Sequence, residues 1–437
     1  MQAHERSTPF LLSVLQPFSR KNGSGVSLRF HRVEHDTRLP YISMHIMEII
    51  SWILGVLVSC SLVLWIGLGI RLWQIKITKP VIREGLSLPN PTDQSVSIVI
   101  PAHNEERVID QCAISLRAQS HKDLQIIFVL DRCTDRTLEI LQKHSEEDDR
   151  ICIIENNTCP DDWAGKCNAA RLGATKATGN WLLFTDADTQ FHQELVRCSV
   201  ASAIKRGASL LSILSSLTIT KNFERVVQPI ASTFLVRQFP VDRVNREDRP
   251  RPFANGQFLL FSRKIYEEID GHNAVKDHLL EDIAFAKHIV RSGAGKVQLL
   301  FADGMLKCSM YPTFEAFQNG WKRIYIEAAN KKIKHLKQSA LLAITVGLIF
   351  PFASVAGIFL GFETSPLLFW TSLASLVCAS IVIAWLYRIN NAPMMYAVFA
   401  PIGAAVVAKI FLDASKMLKN RKPIKWGGRE YILEPNE

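Results

Sequence analysis

Two aspartates at alternate positions, Asp186 and Asp188, follow the apolar run Trp181-Leu182-Leu183-Phe184 and a single Thr185. An Asp-x-Asp at the carboxyl end of a buried strand can hold a hard divalent cation, which keeps open positions for the oxygens of a diphosphate. A second acidic pair, Glu281-Asp282, lies far downstream. A carboxylate there can serve as general base, because a hydroxyl is a poor nucleophile until its proton is withdrawn. Each pair also has a plainer explanation. Asp186 and Asp188 could be a polar turn, and Glu281 and Asp282 could be acidic residues opening a helix, where the macrodipole favours them anyway. Further polar groups cluster at Pro101, His103 and Glu105, at Asp131, and at Lys166.

The elements that would carry these groups alternate regularly. Residues 95–101 read as a buried strand, and 105–119 as a helix with Asn104 as its N-cap. A strand over 124–130 ends at Asp131, a helix over 137–144 takes Asp135 as its cap, and 151–154 is a third strand. A helix opens within 163–171, and the strand before Asp186 follows. Such alternation predicts an α/β fold with a doubly wound, mostly parallel sheet. Parallel strands deliver their carboxyl ends to one crevice, so these separated polar groups should converge there.

The chain has 437 residues, and its 48% hydrophobic content is unevenly placed. Residues 49–70, 339–362 and 364–387 are uncharged and long enough to cross a bilayer, and the weaker run 392–412 carries only Lys409. The expected organisation is a disordered leader over 1–46, a transmembrane helix over 47–74 and a linker over 75–94. A catalytic domain over 95–335, transmembrane helices over 336–412 and a basic interfacial tail over 413–437 complete it. Met44 or Met47 would start the chain directly before the first span. The net charge of +10 gathers at span ends, at Lys331, Lys332, Lys334 and Lys337 for instance, which is the positive-inside pattern rather than a nucleic-acid surface. It places the middle domain on the cytoplasmic face. Three full spans after that domain would send the basic tail to the other side, so either 392–412 is re-entrant or interfacial, which is the preferred reading, or the tail breaks the rule. Nine cysteines without a Cys-x-x-Cys pair fit a reducing compartment.

The segments 96–106, 130–137, Lys166 with Asn168, and 185–188 together resemble the nucleotide-sugar half of family-2 glycosyltransferases, which have a GT-A fold. Residues 254–261 and 271–286 resemble the acceptor half. The likeness is strongest to membrane-bound members acting on polyisoprenoid-derived lipids, the carotenoid-acid and hopanoid-associated enzymes. It implies that Asp131 contacts the uracil of a UDP-sugar, with Pro101, His103 and Glu105 lining the same pocket. It also implies Lys166 near the pyrophosphate, Asp186 on the ribose side, and Asp188 as ligand of Mg2+ or Mn2+. Asp282, beside Glu281, would be the base for an inverting hexosyl transfer to a lipid hydroxyl or carboxyl.

Processive polysaccharide synthases of that family carry Gln-x-x-Arg-Trp before their spans. Here Trp321 follows Gln318 by three, with Lys322 and Arg323 behind it, which favours single-sugar transfer. Polyisoprenyl-phosphate transfer, polymer synthesis, and a non-catalytic membrane scaffold are the alternatives. Trp321 could close over the site, sit at the membrane surface or simply pack. Residues 223–239 form an amphipathic stretch between Arg225 and Arg237, interrupted by Pro229, that could lie in the headgroup layer or pack against the sheet. His272, His278 and His288 lack zinc spacing. Neither the sugar nor the oligomeric state is legible.

Overall fold

The structure, a computed structural model, describes residues 38–246, 248, 251–426 and 429–436. Most of the expected leader, residues 1–37, lies outside the described residues. The chain divides into residues 1–49 and 50–437. The described part of the first unit belongs to the helix Arg38–Thr78.

Among the described residues, twelve strands follow in the second unit: β1 (Val96–Ala102), β2 (Leu124–Asp131), β3 (Ile151–Asn156), β4 (Trp181–Phe184), β5 (Thr189–Phe191), β6 (Leu210–Leu214), β7 (Ser216–Leu217), β8 (Leu259–Ser262), β9 (Val297–Phe301), β10 (Leu306–Cys308), and the pair β11 (Ile424–Trp426) and β12 (Arg429–Tyr431). Seven form one sheet in the order β3-β2-β1-β4-β8-β6-β9. Only β8 runs antiparallel to its neighbours. The chain fills one side of β1 with β2 and β3, then crosses to place β4 on the other side. That reversal is the topological switch point, where open α/β sheets bind ligands. A small sheet, β5-β10-β7, stands beside the larger one.

Alternation along the strands makes two apolar layers. Ile98, Ile100, Ile126, Phe128 and Leu183 enter one core, while Val99, Ile127, Val129, Leu182 and Phe184 enter the other. Successive side chains on a strand point to opposite faces, so strands buried on both sides are apolar throughout. Glycine is required at Gly179, where a Cβ would lie 2.6 Å from the Ser97 nitrogen.

Three local expectations change. The helix after β1 is Ile109–Arg117, and Asn104 does not cap it. Asn104 instead has φ +55°, and its Oδ1 accepts the Thr134 N–H at 2.8 Å. The preference of asparagine for left-handed backbone has overridden its preference for a cap. Asp135 does hold the start of its helix, Thr137–Glu147, accepting the Thr137 N–H at 3.1 Å and its hydroxyl proton at 2.6 Å. The stretch 79–94 is docked rather than loose. Ile82 is buried, Phe301 donates its N–H to the Pro80 carbonyl at 2.9 Å, and Trp181 donates its indole N–H to Gln94 at 3.1 Å.

Among the described residues, four helices are long and apolar enough to cross a membrane: His45–Thr78, Ile333–Thr364, Pro366–Ile389 and Met394–Lys419. The middle two form a hairpin broken only at Ser365, whose side chain accepts the Leu368 N–H. The returning helix meets the sheet domain, where Tyr387 donates its hydroxyl to the Val226 carbonyl at 2.8 Å. Val226 lies in the helix Asn222–Gln238, which includes Pro229 and is packed rather than free. Gly403 of the last apolar helix is pressed so close to Val226 that a Cβ would stand 2.6 Å from its carbonyl oxygen. Trp321 also packs, buried with its indole N–H toward Gln228 at 3.4 Å.

Candidate active site

The N-terminus of the helix Gly165–Lys176 is where the separated polar groups meet. Lys166 reaches out of its first turn and places Nζ 2.7 Å from Asp186 and 2.6 Å from Glu281. One cation thus ties the Asp-x-Asp turn after β4 to the acidic pair that opens the helix Glu281–Ser292. Burial opposes the charge on Lys166, but Asp186 and Glu281 outweigh it and hold the ammonium above the usual lysine range.

Asp282 stands beside that bridge. Its Oδ2 accepts the Gly256 N–H at 2.6 Å and its Oδ1 accepts the Ile283 N–H at 2.7 Å. Burial, and then the neighbouring Glu281, pushes its carboxyl up to about 7. A carboxylate with that affinity for a proton is suited to accept one near neutral pH. Gly256 leaves room for close approach here. A Cβ would point into the cluster, 3.1 Å from Asp282 Oδ2 and 3.2 Å from Lys166 Nζ.

The turn after β4 is fixed by hydroxyls. Thr185 donates to the Gln257 carbonyl at 2.7 Å, and Thr189 donates to the Asp186 carbonyl at 2.7 Å. Asp188 is half-buried in this turn, and its Oδ1 is buried without a hydrogen-bond partner. Burial, then Asp186, raises its carboxyl to about 7. Glu105 is raised to about 8 by burial, with Asp188, Asp186 and Asp135 adding to the effect. Glu105, Asp186 and Asp188 together leave negative charge uncompensated in a partly dry site. Such a set fits a divalent cation held by one or two carboxylates and completed by substrate oxygens. Among the described residues no three acidic, histidine or cysteine side chains form a closed cage of their own.

The two loops on the β2 side are laced together. His103 donates from Nδ1 to the Asp131 carbonyl at 2.6 Å, and Glu105 donates its N–H to Thr137 Oγ1 at 2.9 Å. The Asp131 carboxylate is buried and receives Arg132 Nη2 at 2.6 Å and Asn156 Nδ2 at 2.9 Å. It also abuts Gly165, where a Cβ would lie 3.0 Å from its Oδ2. Glu105, Asp131, Lys166, Asp186, Asp188, Glu281 and Asp282 therefore surround one helix terminus. Pro101 belongs to β1, opposite Val129, and contributes backbone rather than a loop group.

Sequence reasoning missed two contributors. Gly256 sits in Asn255-Gly256-Gln257, where its lack of a side chain signals close approach but not to what. Tyr431 comes from the basic tail, where an interfacial position was expected. Its Oη accepts the Gly165 N–H at 3.4 Å, beside Arg132 and Asp131. No local pattern reveals such a contact, because the tail arrives only after the apolar helices have folded back.

Residues 97–270 match the family model described as glycosyl transferase family 2. A 4,4'-diaponeurosporenoate glycosyltransferase of Staphylococcus aureus is 24% identical over 395 residues, spanning 90% of this chain and 100% of that protein. The same enzyme from another strain is 23% identical over 351 residues, spanning 80% of this chain and 91% of that protein. Among solved structures, the mannosyltransferase PcManGT of Pyrobaculum calidifontis, in complex with GDP-Man and Mn2+, aligns at 16% identity and TM-score 0.43. That alignment covers 80% of this chain and 98% of the other.

Proposed function

We propose that this chain, a family-2 glycosyltransferase by its domain at residues 97–270, moves a hexosyl group from a UDP-sugar to a polyisoprenoid-type lipid at the membrane surface. The observation that carries the reading is the Lys166 bridge, 2.7 Å to Asp186 and 2.6 Å to Glu281. It puts the carboxylates suited to a sugar nucleotide and the carboxylate suited to an acceptor in one crevice. The Staphylococcus aureus relatives are named for a carotenoid acid, which supports a lipid acceptor here.

Asp131 and the loop 103–105 face the nucleoside end of the donor, and Asp186 its ribose. Asp188, with its unpartnered buried oxygen, is the ligand offered to Mg2+ or Mn2+, with Asp186 and Glu105 nearby. When bound, the cation would offset the negative charge that develops on the departing UDP. Asp282 takes the proton of the acceptor hydroxyl as its oxygen bonds to the anomeric carbon from the face opposite UDP. The bond from that carbon to the diphosphate breaks, UDP leaves, and the configuration inverts. A carboxylate acceptor would already be ionised and would need no base.

Placement beside the bilayer has its own support. Tyr431 at Gly165, and Asn436 at Lys331 with N–H to carbonyl 2.9 Å, hold the tail on the side of the catalytic domain. The hairpin of Ile333–Thr364 and Pro366–Ile389 leaves that side and returns to it. The helix Met394–Lys419 then lies along the interface, and the basic tail stays cytoplasmic with the domain. The test is to incubate detergent-solubilised chain with labelled UDP-hexoses, Mg2+ or Mn2+ and a total lipid extract. Label should enter the organic phase as a single-sugar glycolipid. Label only in polymer, or no transfer from any UDP-hexose, would overturn the reading.

A further inference from the structure

A cavity of about 360 Å³ opens between the helix Glu281–Ser292 and the end of the helix Phe314–Ala328. Ile283 and Ala284 supply its apolar wall, while Lys287, His288, Arg291 and Lys331 bring positive or protonatable groups. Glu327 is the sole acid among the described lining residues, and Lys331 already approaches it at 3.5 Å. Lys287 and Arg291, one helical turn apart, make no ion pair among the described residues. Like charges at that spacing repel. Burial further lowers the proton affinity of Lys287, with Glu327 opposing this and Arg291 and Lys331 adding to it.

The cavity's rim is held in an uncommon backbone. Asn330 and Lys331 both take left-handed conformations, with φ +53° and +56°. Non-glycine residues persist there only where the surroundings hold them. The surroundings are the tail: Asn436 donates from Nδ2 to the Asn330 carbonyl at 2.8 Å and from its N–H to the Lys331 carbonyl at 2.9 Å. Lys331 is thereby fixed over a space already rich in positive charge.

We propose that this cavity binds the phosphate headgroup of an anionic membrane phospholipid. Its position selects that source of phosphate. Lys331 stands two residues before the helix Ile333–Thr364, which enters the apolar layer after Lys334 and Lys337. At helical rise, Ile333 to Lys337 spans about 6 Å, comparable to the headgroup layer of one leaflet. A second cavity, of about 450 Å³, is lined by Ile333, Lys334, Lys337, Gln338 and Leu341 in the first turns of that apolar helix. Leu341 is an exposed hydrophobic residue that offers a surface to an acyl chain. The site is separate from the acceptor site. Ala284, Lys287 and Arg291 lie on the face of their helix opposite Asp282. Lipid binding and the proposed base therefore share one rigid element without sharing a pocket, and the proposal does not require sugar transfer.

The experiment measures binding of dioctanoyl phosphatidylglycerol, dioctanoyl phosphatidylcholine and inorganic phosphate to the delipidated full chain in detergent. Wild type should bind the glycerol lipid more tightly than the choline lipid or free phosphate. The double variant K287Q/R291Q should lose about thirtyfold in that affinity, the order expected for two cations acting on one headgroup. A284W, which fills the cavity and leaves its charges, should also lose binding. The control K416Q/K419Q, which removes basic residues from the end of the last apolar helix, should keep it. An unchanged preference in K287Q/R291Q or A284W overturns the site. Equal loss in the control would reduce it to general basicity, and equal affinity for inorganic phosphate would reject the lipid source. Thermal melts establish that each variant is folded.

Discussion

Around the carboxyl ends of β1, β2 and β4 the chain uses charge. Lys166 lies between two carboxylates at 2.6 and 2.7 Å, and Arg132 clamps Asp131 with Nη2 at 2.6 Å. Where Asn222–Gln238 and Phe314–Ala328 meet the apolar helix Ala400–Lys419, the chain uses rings. Tyr325 stacks on Phe411 with centroids 3.9 Å apart, and Phe234 meets the same ring at 5.3 Å. The two regions are suited to different tasks. Buried hydrogen-bonding groups reject a ligand that leaves them unpaired by a large factor, whereas an apolar wall discriminates by only about 1–3 kcal/mol per methylene. The donor should therefore be read strictly and the lipid loosely.

The largest effect should come from Asp282→Asn, which keeps shape and removes the proposed base. With a hydroxyl acceptor, kcat should fall by about 10²–10⁴ while the donor KM is nearly unchanged. A near-normal rate would break the assignment. Lys166→Met should come next, leaving buried Glu281 and half-buried Asp186 without their cation. Removing one partner of a buried ion pair costs about 3–5 kcal/mol, and the loss should appear in the thermal midpoint. Adding Glu281→Gln should recover part of it. If Lys166→Met melts like wild type, charge does not organise the donor edge.

His272 gives a pH-dependent test of how the two halves fit together. It is buried against Phe184, the last residue of β4, with ring centroids 4.6 Å apart, and it pairs with Tyr266 Oη at 2.7 Å. Burial, with Lys166 adding to it, lowers its pKa from 6.5 to about 3, so the folded chain holds it neutral. The stability this provides is complete above the unfolded value and declines as pH falls from there toward about 3. Between pH 7 and pH 5 the loss should be about 2 kcal/mol. Melts of wild type and His272→Gln over that range should converge, and parallel curves would remove His272 as the cause. The smallest change is Tyr431→Phe. Losing one hydrogen bond of about 1 kcal/mol should raise the donor KM about fivefold with kcat retained. An unaltered KM would return the tail to the apolar side of the comparison.

The same contrast decides what could be read in the sequence. Strands β1, β2 and β4 are apolar runs ending in polar residues, so the sheet and the convergence of Asp186 and Glu105 were legible from periodicity alone. Asp282 was legible as a type of residue in a place, but the Lys166 bridge that connects it to Asp186 was not. Nothing in Gly165-Lys166 or in Glu281-Asp282 refers to the other. Asn104 misled because asparagine serves both caps and left-handed turns. The docked stretch 79–94 looked like a linker because the partners of Ile82 and Gln94 are distant in sequence. Tyr431 was hidden for the same reason, since its place depends on how the last apolar helix lies.

The most direct measurement is a titration of the full chain with UDP, with and without Mn2+, for wild type and Asp188→Asn. Acidic groups gathered at Gly165–Lys166 should bind the nucleotide tightly only when the cation is present, and Asp188→Asn should erase that dependence while the fold persists. Wild type that binds UDP equally well in a chelator, or Asp188→Asn that keeps the full metal response, would contradict the central claim.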